Sequence, residues 1–327
     1  MHELPRIKNY AIYGDRIYTR ILAWMDEILW NAIDGILEKP LLNSADLISD
    51  LLSGKIHYEK GHFIPNAKGF NNAQARELEK IGARYNRVSK TYTISPDKIP
   101  VNIQQAIARV DISNERRLDD IVDYIKGVED SIEYVANKFD LYDDVEKIGE
   151  GLDRQLKASL KTVNIIPYEL TDYQLKELST NYTNNLKFYI QNWAKDRIPK
   201  LREGIQDLAM QGWRGKKIEE YIKNQKQMDD RKAKFLARQE TKLFVAEYQK
   251  NRFKEQGISQ YKWSAVMDNR TRQEHRELNG RIFSWDEPPV IDTRTGERGN
   301  PSEAYNCRCI AIPVVTNEFW EKNHNLK

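Results

Sequence analysis

The chain has 327 residues, of which 31% are charged, and its mean hydropathy is −0.74. This length allows two or three domains, and a longest apolar run of only five residues, Ile21–Met25, excludes a membrane-spanning helix. The N-terminus lacks the basic and then apolar pattern of a signal peptide, so we expect synthesis and folding in the cytoplasm. A net charge of +3 favours no class of partner, and two cysteines are too few for a disulfide framework.

Apolar side chains recur with a helical period near the N-terminus. The repeat covers residues 14–39, and Pro40 breaks it, because proline cannot continue a helix. A second, shorter helix is predicted from Ser44, a good N-cap residue type, to Gly54, a residue type that often ends helices. We therefore predict a segment of N-terminal helices over 1–55.

The next segment has a shorter pattern and is rich in aromatic residues. Residues 55–64 form a short aromatic stretch punctuated by glycine, which we interpret as a strand region. Residues 84–94 alternate as a strand does, and a helix is predicted for Asn72–Ile81. Pro96 opens a further helix, since proline is favoured in the first helical turn. Together these elements predict a small β-α-β-α insert over 56–110.

Long apolar stripes dominate the middle of the chain. Two follow one another between Asn114 and Val163, and a third covers 171–198 and ends before Pro199. Helices with apolar stripes of this length can bury them by packing against one another in antiparallel order, so a helical bundle is predicted over 111–227. The alternative is that one of these stripes binds a partner protein.

The C-terminal third changes from helix to mixed structure. After a long helix over 230–256 the apolar period shortens, and we predict a short helix at 271–278 and a final strand at 310–315. These elements form a predicted mixed α/β domain over 228–316, followed by a tail over 317–327. The predicted fold class is α+β and predominantly α, a helical bundle with the small insert and the C-terminal mixed domain.

Residue types that are costly to bury and that can bind ions or take part in catalysis are concentrated in two short segments of that domain, Trp263–His275 and Pro301–Cys309. Four of them could bind a metal ion: Asp268, His275, Cys307 and Cys309. Zinc accepts sulfur, nitrogen and oxygen ligands in a tetrahedron, and such a site would tie two loops together. However, the usual structural zinc site has C-x-x-C spacing, which is absent here. The alternative is a pair of buried reduced thiols beside a hydrogen-bonded histidine.

Several arginines lie close to Asp268 in the sequence, and we interpret them as a hydrogen-bonded loop. An aspartate can cap the helix that follows it, and arginines bind carboxylates through two hydrogen bonds. Arg238 and Glu240, on the preceding helix, could join this network. The alternative is a surface that binds phosphate or a partner, or an active site with Asp268 or His275 as a base.

A basic stretch covers residues 214–242, with ten Lys and Arg against five Asp and Glu. Such a stretch can follow the phosphates of nucleic acid. The candidate contacts to DNA are Lys216, Lys217, Lys232 and Lys234. The alternative is a solvated helix face held by ion pairs.

Three segments, Leu236–Thr241, Trp263–Gly280 and Pro301–Cys309, resemble the phage Mu F-like head morphogenesis (minor head protein) family of tailed bacteriophages. The resemblance covers about 230–316, in the family's order. The motif residues are Arg238, Glu240, Trp263, Asp268, Arg270, Thr271, Arg272, His275, Gly280, Pro301, Asn306, Cys307, Arg308 and Cys309.

The resemblance implies a minor capsid protein that associates with the portal vertex during head assembly. Its implied partners are the portal protein, scaffold or major capsid protein, and non-specific DNA during packaging or ejection, but no membrane. It would be made in the cytoplasm of the bacterial host and then enter the virion head. The sequence has no Gly-rich phosphate loop, G-x-S-x-G or H-E-x-x-H, so we assign no catalytic residue and expect no enzyme. The alternative is a metal-dependent, nuclease-like hydrolase that uses the four candidate metal ligands.

Overall fold

The computed structural model describes residues 1–8, 10–37, 46–66, 68–168, 171–211, 213 and 216–324. The chain divides into two compact units. The first, here called the terminal unit, comprises Met1–Ala23, Asn137–Ile190 and Asp230–Lys327. The second, the central unit, comprises Trp24–Ala136 and Gln191–Asp229. Both units are thus built from segments that are far apart in the sequence.

The predicted N-terminal helix is confirmed as far as Leu37. It consists of α1 (Tyr10–Met25), a π-helical turn (Asp26–Trp30) and α2 (Asn31–Leu37), which follow one another without a break. Pro40 and Ser44 lie outside the described residues. The next helix, α3 (Leu47–Leu52), is capped by Asp46, whose carboxylate accepts a hydrogen bond of 2.7 Å from the backbone nitrogen of Ser49.

In the central unit, each strand predicted for the insert is a hairpin of two shorter strands. The strands are β2 (Ile56–Glu59), β3 (His62–Pro65), β4 (Arg84–Asn86) and β5 (Thr91–Thr93). They form one antiparallel sheet in the order β2-β3-β5-β4, with α4 (Asn72–Lys80) between the hairpins in sequence. The prediction of one continuous strand over 84–94 was wrong. Asn86 turns the chain there, because its side-chain oxygen accepts hydrogen bonds from the backbone of Val88 and Ser89.

Four long helices follow a short 3₁₀ turn at Pro96–Lys98. They are α5 (Val101–Asn137), α6 (Tyr142–Lys161), α7 (Asp172–Met210) and α8 (Lys216–Glu255). The helix α5 passes without interruption through residue 110, where the insert was predicted to end. The predicted helices are therefore present, and two of them extend well beyond their predicted limits.

The prediction that Pro199 ends a helix was wrong, since α7 continues to Met210. A proline inside a helix removes one backbone hydrogen bond and costs about 3 kcal/mol. Apolar residues on both sides of Pro199 are buried, among them Ile198, Leu201 and Ile205. Burial of this face offsets the loss, because each such side chain contributes about 1.5–3 kcal/mol when it leaves water.

The C-terminal part of the terminal unit is mixed α/β, as predicted. Its main sheet is antiparallel, in the order β1-β10-β6-β7, and β8 and β9 form a separate two-stranded hairpin. The elements are β1 (His2–Glu3), β6 (Gln260–Ser264), α9 (Gln273–Leu278), β7 (Ile282–Ser284), β8 (Val290–Asp292), β9 (Glu297–Arg298), β10 (Ile310–Val315) and α10 (Asn317–His324). The helix α10 lies where a tail was predicted, and β1 was not predicted.

The predicted fold class, α+β and predominantly α, is confirmed. Within the described residues, we find no helix with the length and apolar character needed to span a bilayer.

Candidate functional site

The pairing of β10 with β6 brings the two motif segments together. Trp263 on β6 lies opposite Ala311 on β10, so the loop that enters β10 runs beside the residues that follow β6. Alternate side chains of β6 are buried, and Trp263 is fully buried. Its ring contacts the imidazole of His275 on α9 edge to face, at a centroid distance of 5.4 Å. The local sheet therefore sets where this histidine lies.

His275, Cys307 and Cys309 form a compact cluster of candidate metal ligands. The Nδ1 atom of His275 lies 3.5 Å from the Sγ of Cys307 and 3.4 Å from the Sγ of Cys309. All three ligand atoms lie within 4.8 Å of one another, and the residues are only 2–3% exposed. The other ring nitrogen of His275, Nε2, has no hydrogen-bond partner among the described residues. Three of the four predicted metal ligands thus converge.

The two thiols differ in their electrostatic surroundings. The pKa of Cys307 is lowered mainly because its sulfur accepts a hydrogen bond from the Cys309 side chain, and its hydrogen bond with His275 lowers the pKa further. The backbone nitrogen of Cys309 also donates to the Cys307 sulfur, at 3.4 Å. The pKa of Cys309 is raised, because its proton is held by the Cys307 sulfur and because it is buried. Cys307 is therefore the better thiolate of the pair.

Asp268, the fourth predicted ligand, lies outside this cluster. Its carboxylate accepts two hydrogen bonds from the guanidinium of Arg308, one of them 2.6 Å long. It also accepts hydrogen bonds from the backbone nitrogen of Arg270 (3.0 Å) and the hydroxyl of Thr271 (3.2 Å). The Arg308 guanidinium holds the pKa of Asp268 well below its usual range. Asp268 is therefore an anion that organises a turn, and it does not join the two thiols as a metal ligand.

Two further arginines close the same loop. Arg276 donates to the carbonyl oxygens of Thr271 (3.1 Å) and Asp268 (2.6 Å). Arg272 donates to the carbonyl oxygen of Tyr305 at 2.8 Å, and so ties the loop to the segment that precedes the cysteines. These contacts agree with the interpretation of the arginines as a hydrogen-bonded loop.

The helix α8 contacts the site through residues other than those singled out in the sequence. Arg238 pairs with Asp15 at 3.0 Å, and Glu240 is buried with its pKa raised by that burial. Instead, Gln239 accepts a hydrogen bond from the backbone nitrogen of Asn306 (3.0 Å), and Lys242 donates to the carbonyl oxygen of Cys307 (3.3 Å). Residues three apart lie on one face of a helix. This spacing could have indicated that Gln239 and Lys242 contact the same segment.

Two motif residues serve backbone geometry. Gly280 has a φ of 79°, and its nitrogen donates to the carbonyl oxygen of Trp263 at 2.8 Å. Asn306 has a φ of 56°, in the left-handed region that asparagine tolerates better than most residues. Pro301 is buried, and next to it Ser302 donates to the carbonyl oxygen of Cys309 at 2.9 Å. These residues fix the path of the chain into and out of the site.

A cavity of about 220 Å³ opens onto the cluster. Its walls include His275 and both cysteines, together with Arg270, Arg272 and Arg308. Arg270 is exposed, with 76% of its side chain accessible. The cavity is therefore basic at its rim and rich in sulfur at its base.

The predicted DNA-binding lysines lie on α8, and the structure gives their local contacts. Lys217 lies over the ring of Trp213 (5.6 Å), Lys232 over Phe235 (5.8 Å) and Lys234 over Tyr18 (5.3 Å). Arg214 and the side chain of Lys216 lie outside the described residues. Lys226 of the same stretch pairs with Asp34 at 2.7 Å, so part of the local positive charge is neutralised within the protein.

Comparison with known proteins identifies the class to which this site belongs. Residues 200–312 match the family model described as "Phage Mu protein F like protein". This region therefore contains a phage Mu F-like module, and the resemblance predicted from its motifs is confirmed.

A curated relative matches a longer part of this chain than the family model does. A protein of Haemophilus influenzae (strain ATCC 51907 / DSM 11121 / KW20 / Rd), described as "Uncharacterized protein", is 24% identical over 256 residues. The aligned region is 78% of this chain and 47% of that protein, so the chain spans about half the length of this relative. No solved structure matches at a significant level.

Proposed function

We propose that this protein is a minor head protein of a tailed bacteriophage, which joins the portal vertex while the head assembles. The observation that carries the proposal is the match of residues 200–312 to the Mu F-like family. The protein would be made in the host cytoplasm and enter the virion head in low copy, together with the portal protein and scaffold or major capsid protein.

The contacts of the motif residues support a structural role. Asp268, Arg272 and Arg308 each bind another part of the same module, and Gly280 and Asn306 shape its backbone. Metal-dependent hydrolysis is a second candidate, because the cavity reaches the three converging ligands. However, Asp268 is already bound by Arg308 and is a very weak base, since its pKa is lowered. We therefore favour the head protein.

An exposed aromatic pair on α7 suggests where the portal protein binds. Phe188 and Tyr189 are 61% and 40% exposed, with ring centroids 6.0 Å apart. Aromatic side chains are enriched in protein interfaces, where their burial contributes much of the binding energy. We propose that this pair contributes to the portal-binding surface.

Co-expression of the full chain with the portal protein of the same phage genome tests this proposal. Size-exclusion chromatography of the mixture should show the two proteins in one peak. The double variant Phe188→Ser, Tyr189→Ser should weaken this association at least tenfold, because hot-spot aromatics each cost about 2 kcal/mol or more.

A matched control is Tyr305→Ser, which removes an aromatic side chain that is 66% exposed but lies in the Mu F-like module. It should elute with the portal as the wild type does. Separate elution of the wild type at every salt concentration would argue against portal association, and equal loss in both variants would argue against the α7 surface.

We also propose a weak, sequence-independent affinity for duplex DNA through the basic stretch 214–242. Charge reversal at Lys216, Lys217, Lys232 and Lys234 should flatten the salt dependence of binding. The slope of log affinity against log salt concentration should change by about 0.9 for each phosphate contact that is lost. Fluorescence anisotropy with a labelled duplex at several salt concentrations measures this slope. A matched control reverses four exposed lysines elsewhere: Lys68, Lys80, Lys147 and Lys161. An unchanged slope in the first variant, or the same change in both, would remove this stretch as the DNA contact.

A further inference from the structure

We infer that His275, Cys307 and Cys309 bind one divalent cation of the zinc class, and that the fourth coordination position opens onto the basic cavity. Each residue offers one soft or borderline ligand atom, and these atoms lie within 4.8 Å of one another. Such a cation would be a cofactor of the module, and its binding does not depend on whether the module binds a portal.

The distances fit a tetrahedral ion. Zinc bonds of about 2.3 Å to sulfur and about 2.0 Å to nitrogen separate a sulfur and a nitrogen ligand by about 3.5 Å. The observed separations from Nδ1 of His275 are 3.5 Å to the Cys307 sulfur and 3.4 Å to the Cys309 sulfur. An ion between the three atoms therefore needs little movement of the side chains.

Hydrogen bonds alone explain the arrangement less well. In a neutral imidazole the Nδ1 atom carries either one lone pair or one hydrogen, so it forms a full hydrogen bond with one sulfur at a time. Both sulfurs nevertheless approach this same nitrogen, and all three residues are buried. A cation satisfies all three atoms together, and the hydrogen bond from the Cys309 backbone to the Cys307 sulfur supports a thiolate ligand there.

The fourth position has no protein ligand among the described residues. Among the described residues, no further Cys, His, Asp or Glu joins His275, Cys307 and Cys309 in this cluster, and the carboxylate of Asp268 is bound by Arg308. The cavity of about 220 Å³ reaches all three ligands and carries Arg270 and Arg272 on its wall. Three protein ligands and an open position accept water or a small anion, and the arginines favour the anion.

Cobalt substitution tests the site directly, because the chain has only two cysteines and both belong to it. The full chain should purify with about one zinc ion per molecule. Removal of that ion by a chelator and addition of Co²⁺ should give the sulfur-to-cobalt charge-transfer band and the intense visible bands of a tetrahedral site. The variants Cys307→Ser and His275→Gln should lose or strongly weaken these bands.

Two controls separate ligation from general damage. His62→Gln changes a histidine that contacts Thr91 in the central unit, and Asp268→Asn weakens the ion pair without removing a ligand. Both should retain the cobalt spectrum. If the ligand variants fail to fold, the wild type alone decides the matter: chelation should lower its melting temperature, and zinc should restore it.

Addition of azide or inorganic phosphate to the cobalt form tests the open position. A shift of the visible bands is expected, because an exogenous anion would replace water on the metal. Unchanged bands at saturating anion would overturn the open position. A zinc-free protein that gives no cobalt bands would overturn the site as a whole, and would assign the cluster to two thiols and a hydrogen-bonded histidine.

Discussion

Replacement of Trp263 by alanine is expected to destabilise the terminal unit by about 3–5 kcal/mol. The side chain is fully buried between His275 and Phe283, with ring centroids 5.4 and 6.3 Å away. Its loss removes a large apolar surface and leaves a cavity next to the imidazole of the cluster. For a unit of this size the melting temperature should fall by roughly 2–4 °C per kcal/mol.

Hydrogen exchange followed by mass spectrometry measures the change where it occurs. Peptides from 258–315 should lose protection in Trp263→Ala, and those of the central unit should not. The matched control is Trp320→Ala on α10, where a partly buried tryptophan stacks on His2, and it should have a much smaller effect. Equal effects of the two substitutions would contradict the role of Trp263 as the centre of this core.

Replacement of Arg197 by alanine is expected to destabilise the central unit by about 3–5 kcal/mol at neutral pH, because it leaves a buried carboxylate without its cation. The residue left behind, Asp229, is only 4% exposed and accepts hydrogen bonds of 3.1 Å from Arg197 and from the indole of Trp193. Burial already raises the pKa of Asp229 above its ordinary value, although both partners oppose this.

The pH dependence of this variant follows from the sign of that shift. A folded-state pKa above the unfolded value means that the penalty is present above the folded pKa and is relieved as the pH falls below it. The stability difference between Arg197→Ala and the wild type should therefore shrink as the pH falls from neutrality towards the ordinary carboxyl range. Urea unfolding at several pH values measures this difference.

Two further variants sharpen the experiment. Asp229→Asn in the Arg197→Ala background should recover much of the loss, since it removes the buried charge. Lys195→Ala, which breaks an exposed pair with Glu133, should leave stability almost unchanged. A constant stability difference at all pH values, or no recovery in the double variant, would contradict the buried-charge explanation.

The long helices could be predicted because each buries one continuous face, which leaves a clear period in the sequence. Their ends could not be predicted from local rules alone. Pro199 lies inside α7 because the buried residues around it stabilise the helix more than the proline weakens it. Similarly, β1 has only two residues, and only its pairing with β10 makes it a strand.

The residues of the site could be nominated from the sequence, but their grouping depends on the sheet. Cys307 and Cys309 face the same way, as expected for alternate residues of extended chain, and Arg308 between them faces Asp268 instead. This alternation explains why Asp268 is separate from the cluster. Gln239 and Lys242 were missed because their partners are backbone atoms more than sixty residues away, which no local pattern reveals.

The proposed head function is tested most directly by counting this chain in phage heads. Heads purified from an induced lysate can be analysed by mass spectrometry with isotope-labelled peptides of this protein and of the portal protein. We predict that the chain is present in low copy, on the scale of the portal subunits, and that deletion of its gene lowers the yield of normal heads. Absence of the chain from the heads, with a normal yield after deletion, would contradict the proposal.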